Sequence, residues 1–161
     1  MVQKSRRRII REKVLQVLFA YEMNQDSLQF LKDEILTEIS NETELNFAND
    51  LINKTVEHVK EFDVMIKGRV NNWEIGRIAL IDKILIQIGI CELLYFPDIP
   101  PKVTINESLE IAKEYSTARS AKFINGILDA ILSIEKKSGR LKKHGRGLVE
   151  GNTSKSSEDS D

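Results

Sequence analysis

From Ile84 to Phe96 the chain is apolar at almost every position, with Gln87 and Glu92 breaking the run. A helix that is apolar on nearly all sides has no face left for water and must be enclosed by other elements. The stretch is shorter than the roughly 18 apolar residues that cross a bilayer. It therefore predicts a central helix over 82–96 in a soluble core, and the other elements must be able to surround it.

They read as helices too, because apolar positions recur at helical spacing nearly throughout and no segment alternates like a strand. Ile10, Val14, Val17, Leu18 and Tyr21 fall on one face of a helix over 5–25. Leu28, Leu31, Ile35 and Ile39 mark a second over 27–39. A longer seam from Leu45 to Ile66 predicts one helix over 43–67, stopped at Gly68. Asn71-Asn72 break the chain before Trp73, and 75–78 suit a short helical turn. Pro97 and Pro100-Pro101 end the central helix, since proline lacks the helical donor and restricts its predecessor. Thr104 and Glu107 fit a capping box for a helix ending near Tyr115. After Ser116-Thr117 a last helix over 120–137 buries Phe123, Ile124, Ile127, Leu128, Ile131 and Ile134. Gly126 inside it costs about 1 kcal/mol relative to alanine, which close packing of another helix would offset. The expectation is an all-α single domain of six to seven helices over 1–137. Residues 138–161 have almost nothing apolar to bury and are expected to be a disordered tail, basic and then acidic.

Composition narrows the class. At 161 residues, 41% of them apolar and 30% charged, the chain suits one soluble domain. The N-terminus has no apolar signal core behind its basic residues. A lone cysteine, Cys91, excludes an internal disulfide and fits a reducing cytoplasm.

Charge is unevenly placed. Residues 1–13 sum to about +5, 135–149 to about +5, 150–161 to about −3, and the body between to about −8. A basic patch on an acidic body is the footprint of a protein that docks a polyanion at one place. Catalytic chemistry finds little support. His58 and His144 are far apart, Cys91 lies in the apolar helix, and no glycine-rich loop follows a strand. No cofactor or metal is implied.

Two segments carry cations in a useful pattern. On the first helix Lys4, Arg8 and Arg11 fall within about 60° of one another, Arg7 borders them, and Leu15 and Phe19 continue the stripe. Guanidinium groups pair bidentately with phosphate, and rings stack on unpaired bases. The plain alternative is a solvated, frayed terminus with Phe19 in the core. The second segment is Arg119-Ser120-Ala121-Lys122-Phe123, at a helix start where free amides favour phosphate. Its plain alternative is a capped start with Phe123 facing inward.

The residues from Val103 to Lys113, VTINESLEIAK, followed by SAKFINGILD from Ser120 to Asp129, closely resemble the signature of the bacterial NusB family of transcription antitermination factors. The start Arg6-Arg7-Arg8-Ile9-Ile10-Arg11-Glu12 is similar to that family's arginine-rich first helix, and Ile88 to Leu93 to its central helix. The resemblance covers about 4–134. It implies two packed three-helix groups plus a short extra helix. It implies an adaptor that pairs with a small-subunit ribosomal protein (NusE), binds the single-stranded boxA element of nascent ribosomal RNA, and joins an antitermination complex on RNA polymerase. RNA contacts carried over are Arg6, Arg7, Arg8, Arg11, Lys122 and Phe123; Arg119 and Ser120 of the same segment are expected to reach the RNA backbone with them. Arg119 departs from the family, where an acidic residue is common, and Phe19 stands where a tyrosine is common. The implied role is not enzymatic and involves no membrane. Three points stay open: a homodimer, a link to the helical domain of ribosomal RNA cytosine methyltransferases, and a protein-only adaptor. For the RNA role, the arginine start and the Lys122-Phe123 corner are expected to converge in space on one strand, with their guanidinium ends not buried against carboxylates.

Overall fold

The computed structural model describes residues 3–71 and 76–149. Among these it contains seven α-helices and no strand: α1 Arg6–Asn24, α2 Leu28–Ile35, α3 Glu42–Glu57, α4 Val59–Lys67, α5 Leu80–Tyr95, α6 Pro101–Tyr115 and α7 Ala118–Ser138. Side-chain oxygens accept from the free amides at four helix starts: Ser5 from Arg8, Ser27 from Phe30, Asn41 from Glu44 and Thr117 from Ser120. Gly139 ends α7 at φ 76°, a left-handed conformation that glycine adopts without strain.

The apolar run becomes α5, and every residue from Ile84 to Leu93 is buried. α5 packs against α1, α3, α4, α6 and α7. α1 gathers α2 and α3 into one three-helix group, α5, α6 and α7 form the other, and α4 is the short extra helix. The core lies between the groups, with Ile10, Leu51, Phe62, Leu85, Ile90, Ile111 and Leu128 almost without exposure.

The expected long helix over 43–67 is two helices. They meet at His58, whose backbone leaves the helical region at φ −107°, ψ 14° and whose ring stacks on Tyr95 of α5 at 4.1 Å. The expected capping box at Thr104 does not form. α6 begins earlier, with Pro101 in its first turn, where proline's missing donor is harmless. Thr104 then lies inside α6, and its hydroxyl donates to the Glu92 carboxylate at 3.1 Å. The glycine that admits a close neighbour is Gly89: a Cβ there would stand 2.9 Å from Leu128, while one at Gly126 would meet nothing within 4 Å. Trp73 and part of the short turn expected over 75–78 lie outside the described residues.

Residues 139–149 do not behave as a loose tail. Lys143 Nζ donates to the carbonyls of Glu92 and Phe96 at 3.0 and 2.8 Å, meeting acceptors that the C-terminus of α5 leaves open. The His144 amide donates to the Pro97 carbonyl, and a 3-10 turn follows over Gly145–Leu148. Few apolar side chains are needed, because this strap is held by backbone groups at the end of a buried helix. The acidic segment 150–161 lies outside the described residues.

Candidate nucleic-acid interface

At the start of α1 the four arginines have different fates. Arg6 pairs with Glu44 of α3 at 2.9 Å and Arg8 with Glu107 of α6 at 2.7 Å. Arg11 is 4% exposed and grips Glu92 of α5 through two 2.8 Å hydrogen bonds. Burial works to lower the Arg11 pKa, but the charge and hydrogen bonds of Glu92 outweigh it, so the guanidinium stays charged. Arg7 alone of the four makes no ion pair among the described residues. Its guanidinium lies 3.8 Å from the ring centroid of Phe47 on α3. Partial burial, with Arg11 close by, lowers its pKa.

Three sequence expectations change. Arg11, expected to meet RNA, points into the protein and holds α1 against α5. Leu15 lies in the core and Phe19 is half-buried against it, and the ring that a guanidinium of this segment covers is Phe47. Tyr21, expected on the core face, is 37% exposed. Glu44, Phe47 and Glu107 lie on other helices, and no linear spacing announces them. Glu92 did leave a signal: a lone carboxylate inside an apolar run needs a buried partner.

The second segment opens α7. Arg119 and Lys122 are exposed and make no ion pair among the described residues. Phe123 is half-buried against the core. Ser120 is turned inward: its hydroxyl donates to Asp82 Oδ2 at 2.6 Å and accepts from Ser116 and Thr117. Arg119, Ser120 and Phe123 line a cleft of about 340 Å³ with Arg77, Ile78, Ala79, Asp82 and Thr117. The other Asp82 oxygen is buried and has no hydrogen-bond partner among the described residues.

The distance between the two segments follows from α1 and α6. Arg8 reaches Glu107, and Gln16 donates to the Tyr115 hydroxyl at 3.2 Å, so α1 and α6 run parallel. The arginine start sits near Glu107 and the α7 start just past Tyr115, about 14 Å apart by helical rise. They are separate stations and not one fused patch, with no lining residue in common between the clefts at the two helix starts. Cys91 is fully buried and its thiol is pushed up to about 12, which leaves it inert as a nucleophile. No helix among the described residues is long and apolar enough to cross a membrane.

The family model described as "NusB family" matches residues 8–133. A protein of Chloroherpeton thalassium named transcription antitermination protein NusB is 44% identical over 146 residues, 89% of this chain and 69% of the other. The solved structure of T. maritima NusB superposes with a TM-score of 0.75 at 35% identity, covering 81% of this chain and 93% of that one. A structure described as antitermination factors NusB and NusE in complex with dsRNA shares the fold, with a TM-score of 0.73 at 24% identity over 80% and 97% of the two chains.

Proposed function

This chain belongs to the NusB family, and we propose that it acts as a transcription antitermination factor that holds single-stranded boxA RNA together with the small-subunit ribosomal protein NusE. The pair then joins RNA polymerase and keeps ribosomal RNA transcription processive. The work is cytoplasmic and needs no cofactor, and the chain is assigned no reaction of its own.

The observation that carries the RNA contact is the start of α7. Two exposed cations without ion pairs, Arg119 and Lys122, flank Phe123, and Arg119 and Phe123 line one cleft. Cations hold phosphates and a ring stacks on a base. Arg7 supplies a cation at the other station. A separation of about 14 Å corresponds to about four nucleotides of a stacked strand at roughly 3.4 Å each. Arg6 and Arg8, paired at the surface, exchange a carboxylate for a phosphate when RNA arrives. Arg11 acts from behind, by fixing α1.

The test is fluorescence anisotropy of labelled boxA RNA, with and without NusE, at two salt concentrations. We expect weak binding by the chain alone, tighter binding by the pair, and loss of affinity in Arg7→Ala and Lys122→Ala. Equal binding of a scrambled RNA, or no RNA response with NusE bound, would sink the reading and favour a protein-only adaptor. Sedimentation of the free chain settles whether it self-associates.

A further inference from the structure

The family match ends at residue 133, yet the structure continues in order to Val149. The strap at 139–149 is pinned at several points. Arg140 pairs with Glu61, the Leu141 amide donates to the Glu135 carbonyl, and Lys143 and His144 bond the end of α5 and Pro97. At Gly147 the backbone passes so close to the Pro97 carbonyl that no Cβ fits. A segment held this way presents its remaining side chains at fixed positions.

One of them is Arg146. It is exposed and makes no ion pair among the described residues. With Val149 it lines a cleft of about 480 Å³ whose other lining includes Ser5, Arg7 and Arg11 from the α1 start and Ile99, Pro100 and Val103 near the α6 start. Asp98 and Glu107 also line it. Glu107 is neutralised by Arg8, so Arg7 and Arg146 face one uncompensated carboxylate, Asp98.

We propose that the strap is a second RNA-contacting element, in which Arg146 adds a phosphate contact beside Arg7 and carries the strand past the end of α1. This rests on the RNA reading above. A phosphate backbone suits the cleft better than an acidic peptide, because the exposed apolar floor at Val103 and Val149 can take a base while the two guanidinium groups hold phosphate. Asp98 then meets the amino edge of a base.

The experiment is the same anisotropy titration, using the full chain with NusE. Arg146→Ala is expected to weaken boxA binding roughly two- to fivefold at low salt and to flatten the log–log salt slope by about 0.7. Arg146→Lys should retain most of both. Lys60→Ala, which removes an exposed charge on α4, should change neither. If Arg146→Ala binds like wild type while Arg7→Ala is weakened, the strap assignment is overturned and the RNA reading stands. If the wild-type pair does not bind boxA, both fall. If Arg146→Ala weakens binding to NusE in the absence of RNA, the strap serves a protein partner and the assignment is overturned.

Discussion

Glu92 is a carboxylate with 1% exposure in the most apolar helix of the molecule. It is tolerable because Arg11 binds both its oxygens and Thr104 donates a third hydrogen bond. Removing one partner of such a pair leaves a bare charge in a low-dielectric interior. Arg11→Ala should therefore cost about 3–5 kcal/mol, read from the midpoint of denaturant unfolding. Replacing both partners, Arg11→Met with Glu92→Leu, should recover most of that loss, because a packed apolar pair has no desolvation penalty. An Arg11→Ala variant as stable as wild type, yet weak for RNA, would return Arg11 to the contact surface. Four arginines within six positions look alike in sequence, and nothing in their spacing separates Arg7 from Arg11. What distinguishes them is which helix passes each one, and that is a tertiary fact.

At the scale of elements, α5 and α7 cross where Gly89 lets Leu128 reach the backbone. Gly89→Ala forces Leu128 aside and should cost about 1–3 kcal/mol. Gly126→Ala meets open space within a helix and should stabilise by about 0.5–1 kcal/mol. Unfolding midpoints that move the same way for both would contradict the packing. The strap offers a pH test. Burial lowers the Lys143 pKa to about 8, against 10.5 when unfolded. The unfolded chain thus binds more protons between those values, so this group's contribution to stability rises as pH climbs from about 8 to 10.5. The stability difference between wild type and Lys143→Met should move in favour of wild type over that window; a flat difference would mean Lys143 does not titrate there. The elements themselves were largely legible, because helical period, prolines and N-caps are local signals. α5 was legible from its apolar run alone. The strap was not, because it is held by backbone carbonyls at the end of α5, and composition does not record where acceptors are left open. His58 is similar: its ring finds Tyr95, and the long helix parts at a residue with no breaker signal.

For the whole molecule, a net charge of −1 conceals a division between cations already answered by carboxylates and cations that are not. Arg6, Arg8 and Arg11 each face a glutamate. If such a residue turns to a phosphate, it exchanges one anion for another and releases few counterions. Arg7, Arg119, Lys122 and Arg146 make no ion pair among the described residues, and under the proposed function these set the salt response. Each phosphate contact to a single strand contributes about 0.7 to the log–log slope. Three or four contacts by this chain therefore predict a contribution of about −2 to −3, where all seven cations together would give about −5. The measurement is boxA affinity of the NusE pair across a series of salt concentrations, with this chain's share taken as the slope lost in a variant carrying all four alanines. A lost slope below about 1 would mean that these cations face solvent and not RNA. The same titration with Arg6→Ala should leave the slope nearly unchanged, because the charge removed was already answered by Glu44.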